Sequence, residues 1–130
     1  MIYRREILKG SECPPEYEIN LLELLIRINK VRDAYGLPMI VTSGFRTRED
    51  HTRIYKARGI KKIPWGSSHL TCQAVDISDP CNILYSWCRK NENLVREIGL
   101  WIEEDRGGWV HFQTKPFSSY KAGGTIFFKP

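Results

Sequence analysis

WGSSHLTCQAVDISDP, from Trp65 to Pro80, sets a histidine, His69, seven positions ahead of a carboxylate, Asp76, that stands inside an apolar run. Ala74 to Ser78 reads as a strand, because β-branched residues alternate with others between polar turn signals. Successive strand side chains point to opposite faces, so Val75 and Ile77 share one face while Ala74 and Asp76 share the other. Asp76 therefore lies on the strand's second face. Asp79 and Pro80 follow as a capping side chain and a proline suited to a first helical turn, which predicts a helix from near residue 80.

Outward from this stretch the pattern alternates between helical and extended segments. Leu21, Leu25, Ile28 and Val31 follow helical spacing over about residues 16–35, and Gly36-Leu37-Pro38 supplies the stop. Met39 to Thr42 reads as a buried strand, and RTREDHTRIYKARG as a shorter polar helix. The helix from residue 80 breaks around Asn91 to Asn93 and resumes to Gly99. Leu100–Asp105 and Trp109–Gln113 are predicted strands joined by Arg106-Gly107-Gly108, and Thr125–Lys129 is a last strand. Helices and strands that mix without strict alternation, with a late antiparallel hairpin, indicate an α+β fold.

In that hairpin Leu100, Ile102, Val110 and Phe112 form an apolar face. The opposite face collects Trp101, Glu103 and Asp105 from one strand and Trp109, His111 and Gln113 from the other. A three-residue loop pairs Asp105 with Trp109 and sets Glu103 across from His111. His69, Asp76 and His111 together supply two imidazoles and a carboxylate, the ligand set of catalytic zinc sites that leave a fourth position for water. The separation of Asp76 from His111 is long, and no local motif brings the three together. Each also has a plain reading, as a loop histidine or a hydrogen-bonded strand aspartate. His51 lies in the charged helical segment, outside this set.

With 130 residues, 42% of them hydrophobic, the chain is about the size of one domain able to bury its own core. Its start has no apolar signal region, which predicts a soluble protein made in the cytoplasm, and the four cysteines lack metal-finger spacing and are expected as free thiols. A formal net charge of +5 favours anionic partners. Its basic residues are interleaved with acidic ones, so a solvated surface explains them better than a nucleic-acid stripe.

SSHLTCQAVD resembles the S-x-H-x-x-G-x-A-x-D signature of the zinc D-alanyl-D-alanine carboxypeptidase and L-alanyl-D-glutamate endopeptidase family, which shares its fold with the hedgehog signalling domain. Ser67, His69, Ala74 and Asp76 fall on the motif. Cys72 takes the glycine position, where glycine reaches conformations that cost a cysteine energy. VTSGFRT, from Val41, is similar to the family's S-G-F/Y-R segment, and GLWIEEDRGGWVHFQ to its late strand pair with an acidic residue before W-V-H. The resemblance covers about residues 20–115.

What this resemblance implies is a hedgehog/DD-peptidase-like fold, a small antiparallel sheet with helices packed against it, forming one catalytic domain over residues 1–130. Zn2+ would be held by His69, Asp76 and His111. Arg46 would grip a substrate carboxylate or the polarised carbonyl, and Ser67 would help position substrate. The general acid/base is an acidic residue ahead of the last histidine, so Glu103, Glu104 and Asp105 all qualify; strand parity ranks Glu103 first, Asp105 second and Glu104 third. Trp109 and Trp101 either wall the cleft or pack. The expected substrate is a peptidoglycan stem peptide cut by a monomer, as a phage-type lysin acting after release or as a particle-borne enzyme, without membrane insertion. A non-catalytic zinc-stabilised binding module of the same fold, and a basic nucleic-acid binder, are the alternatives.

Overall fold

The helix predicted over 16–35 runs from Glu18 to Tyr35 (α2), behind a 3₁₀ turn at Pro15–Tyr17, in a computed structural model that describes residues 1–104 and 106–129. Leu21, Leu24, Ile28 and Val31 form its buried stripe, and each such side chain taken fully from water contributes about 1.5–3 kcal/mol. Gly36 ends it with φ 78°, the left-handed geometry of a helix stop. Ahead of it lies a helix the sequence reading did not foresee, Arg4–Leu8 (α1), too short for a periodic signal, which buries Ile7 and Leu8.

The remaining elements are β1 (Val41–Ser43), α3 (Arg48–Ala57), β2 (Ala74–Asp79), α4 (Ile83–Lys90), α5 (Glu92–Ile98), β3 (Trp101–Glu103), β4 (Gly108–Gln113) and β5 (Phe127–Phe128). Among the described residues the strands make one sheet in the order β1-β2-β4-β3-β5. All neighbouring pairs are antiparallel except β3 with β5, which run parallel, so the expected antiparallel sheet carries one parallel edge. Val75, Ile77, Leu100, Ile102 and Phe112 lie on the core side with no exposed surface, as their parity requires.

The helix expected from residue 80 begins instead at Ile83, because Asn82 takes the left-handed conformation (φ 59°) and delays the first turn. Asp79 still caps it from a distance: Oδ1 accepts from the Leu84 N–H at 3.0 Å and Oδ2 from that of Tyr85 at 2.9 Å. Asp79→Ala should therefore cost about 1–2 kcal/mol, seen as a lower thermal unfolding midpoint. The predicted break falls at Asn91, between α4 and α5.

Cys72 is buried with φ 58°, so the glycine position of the resembled motif does need a left-handed residue and a cysteine occupies it here. All four cysteines are free thiols, and burial pushes Cys72 and Cys88 up to about 12.

Candidate metal centre and cleft

Asp76 and His111 are direct cross-strand partners on β2 and β4. The register of β3 against β4, Trp101 with Gln113 and Ile102 with Phe112, carries Glu103 to the level of His111. His69 arrives from outside the sheet, on a 3₁₀ turn over Ser68–Thr71 where Ser67 Oγ accepts from the His69 N–H at 3.4 Å. His69, Asp76 and His111 each offer a ligand atom, and these atoms lie within 4.8 Å of one another. All three residues are buried.

The hydrogen bonds around them fix which nitrogen faces the centre. His69 Nδ1 is 2.7 Å from the Gly44 carbonyl, which only accepts, so Nδ1–H donates and the Nε2 lone pair points at Asp76 Oδ1, 3.3 Å away. Gln113 Nε2 donates to the Lys115 carbonyl at 2.6 Å. Its Oε1 therefore accepts from His111 Nε2–H at 2.8 Å, and His111 Nδ1 is left toward Asp76 Oδ1, also at 2.8 Å. Two imidazole nitrogens thus converge on one carboxylate oxygen.

Burial drives the His69 pKa below its ordinary value despite Asp76 beside it, which keeps the ring neutral and its lone pair available. At Asp76 burial works to raise the pKa, yet the hydrogen bond from His111 and the nearness of His69 hold the carboxyl well below the usual range. His111 is also penalised by burial, but the Asp76 bond and the charges of Asp76 and Glu103 leave its pKa raised. A buried carboxylate facing a neutral nitrogen lone pair at 3.3 Å sets two electron-rich atoms against each other, and a divalent cation satisfies both. The donor set of two nitrogens and a carboxylate oxygen suits zinc.

Neither Gly44 nor Gln113 received a role from the sequence, although Gln113 stands on the site face by parity. A Cβ added at Gly44 would lie 2.2 Å from the Ile7 carbonyl oxygen, so only glycine lets this loop close on α1, where Phe45 N–H donates to Ile7 O at 2.8 Å. The loop in turn grips His69, whose backbone carbonyl accepts from Arg46 N–H at 3.1 Å. Gln113→Leu removes the acceptor that fixes the His111 tautomer and should weaken metal affinity by about 10–100-fold, measured by competition with a chromogenic chelator.

The centre opens into a cleft of about 530 Å³ lined by Arg46, Ser67, Glu103, Trp109 and Arg106, among others. Arg46, nearly buried, donates from Nε to Ser43 Oγ at 3.2 Å and lies 3.8 Å from Asp76 Oδ2. Glu103 Oε1 is 3.9 Å from His111 Nε2, and its Oε2 pairs with Arg106 Nε at 3.2 Å. Arg106 also lies over the Trp109 ring. Glu104 is held instead by its backbone, donating to the Phe128 carbonyl at 2.7 Å, and its side chain does not line the cleft; Asp105 lies outside the described residues. Trp101 packs edge-on against Tyr120 and takes no part in the cleft wall. His51 is buried beside Tyr55 and Trp65 and bonds the Pro64 carbonyl, a structural use away from the metal centre.

The profile of the peptidase M15 family matches residues 2–111. Among solved structures the fold is similar to that of the L-Ala D-Glu endopeptidase ChiX of Serratia marcescens, with a TM-score of 0.55 and 21% identity over 78% of this chain and 87% of that one. No curated protein matches the chain by sequence.

Proposed function

Because the chain belongs to the peptidase M15 family and is thus a metallopeptidase, we propose that it hydrolyses a peptide bond in the peptidoglycan stem with zinc held by His69, Asp76 and His111. The observation that carries this reading is the buried His-Asp-His group at the base of an open cleft, with a separate carboxylate, Glu103, one strand away. When bound, zinc supplies a Lewis acid for the scissile carbonyl and lowers the pKa of a water from about 15.7 to about 7. Glu103, steadied by Arg106, takes the proton of the attacking water and returns it to the departing amine. Arg46, whose planar fork suits a carboxylate or a developing oxyanion, orients the peptide, and Ser67 and Trp109 line its path.

Residues 1–130 act in this reading as one catalytic unit and as a monomer. The formal charge of +5 favours approach to an anionic wall, reached after release from the cell or on a phage-type particle. No helix among the described residues is long and apolar enough to cross a membrane.

The test joins metal analysis of the purified protein to mass spectrometry of digested peptidoglycan. One zinc per chain is expected, with cleavage that a chelator stops and zinc restores. Fragment masses distinguish a D-Ala-D-Ala carboxypeptidase from an L-Ala-D-Glu endopeptidase. Intact wall after zinc reconstitution would reject the reading.

A further inference from the structure

Cys72 stands where the resembled motif has glycine, and it holds a left-handed backbone (φ 58°) that a residue with a Cβ adopts only at an energetic cost. It is fully buried, and its neighbour is a second cysteine: the Cys72 S–H donates to Cys13 Sγ. Cys13, half-buried, packs against the same core and turns its own S–H toward the Glu18 carboxylate, with the Pro14 carbonyl 3.4 Å away. Two of the four thiols thus meet across about 60 residues of chain. Cys81 is exposed, and Cys88 is buried on α4 near Asp79.

Both residues belong to parts of the chain that hold the metal turn. Cys72 ends the 3₁₀ turn that carries His69, and Asn20 Nδ2 ties the start of α2 to the Thr71 carbonyl at 3.0 Å. Cys13 lies between α1 and the 3₁₀ turn that leads into α2. A bond between the two sulfurs therefore joins the segment on which the Gly44 loop rests to the turn whose histidine that loop grips.

We propose that Cys13 and Cys72 are a disulfide-forming pair, closed by exchange with a low-molecular-weight disulfide once the protein leaves a reducing medium, and that the bond braces the His69 turn. The pairing stands independently of the peptidase reading. Cys13, the more accessible thiol, gives its proton to solvent and attacks one sulfur of the small disulfide, which releases one thiol and leaves a mixed disulfide. Cys72 then loses its proton, attacks the Cys13 sulfur and expels the second thiol. The two protein thiols give up two electrons and two protons, and the small disulfide becomes two thiols. Burial pushes the Cys72 thiol up, which makes it a poor leaving group, so the closed bond resists reduction.

The test equilibrates the purified protein with oxidised glutathione or with dithiothreitol, then alkylates, digests and maps it by mass spectrometry beside thermal unfolding. The oxidised sample is expected to yield a cross-linked Cys13–Cys72 peptide and to unfold about 10 °C above the reduced one, because closing a loop of about 60 residues removes entropy from the unfolded chain. Amide hydrogen exchange over residues 67–72 should slow on oxidation. Cys13→Ser should show neither change. Cys72→Gly, which suits the left-handed backbone, should behave likewise and serves if Cys13→Ser does not fold. Glutathione left on Cys13, linkage through Cys81 or Cys88, or an unfolding temperature that oxidation does not raise overturns the pairing; unchanged exchange over the turn overturns the brace. Zinc content and wall cleavage report separately on the peptidase reading.

Discussion

Glu103→Gln retains its metal and loses peptide cleavage by about 10²–10⁴-fold in kcat, the span that a positioned general acid/base contributes. The substitution keeps shape and removes the ability to take a proton. Because Glu103 lies outside the trio whose ligand atoms sit within 4.8 Å of one another, metal content should stay near that of the wild type. In the proposed reading the peptide is held by Arg46, Ser67 and Trp109 rather than by Glu103, so KM should move little. Metal content by atomic spectroscopy beside steady-state kinetics reads both quantities. Cleavage at the unimpaired rate would pass the acid/base role to Glu104 or Asp105.

Asp76→Asn is expected to lose metal outright, with affinity falling by more than the roughly hundredfold that loss of an orienting group costs, since the proposed site makes Asp76 itself a ligand. The amide brings no charge to the centre, and Arg46, 3.8 Å from Asp76 Oδ2, loses its counter-ion. Circular dichroism separates metal loss from unfolding. The wild-type titration has a defined pH sense. The pKa of His111 is raised, so a proton that competes with metal for its Nδ1 leaves at a higher pH than it would from an ordinary histidine. Affinity therefore falls as pH drops through that raised value, by about tenfold per pH unit for one displaced proton, and levels off above it. An affinity independent of pH across the imidazole range, or full metal content in Asp76→Asn, would remove His111 and Asp76 from the centre.

Local periodicity settled much of this architecture. The pleat of a strand has a period of two, so the sides taken by Val75, Asp76, Ile102, Glu103, His111 and Phe112 followed from their order alone, and a hairpin loop of given length fixed Glu103 opposite His111. Likewise the apolar stripe and the glycine stop placed α2 to within two residues. What the tertiary structure decided is which distant pieces meet. The pairing of β2 with β4 sets Asp76 against His111 from 35 residues away, and the closure of the Gly44 loop on α1 brings a carbonyl to His69 from 25 residues away. The parallel docking of β5 puts Phe128 beside Glu103. Side-chain spacing encodes which face a residue takes because that depends on its own backbone turn. It does not encode partners, because long-range pairing is chosen by the burial of the whole core, and so the tautomers of both histidines became legible only once the chain had closed.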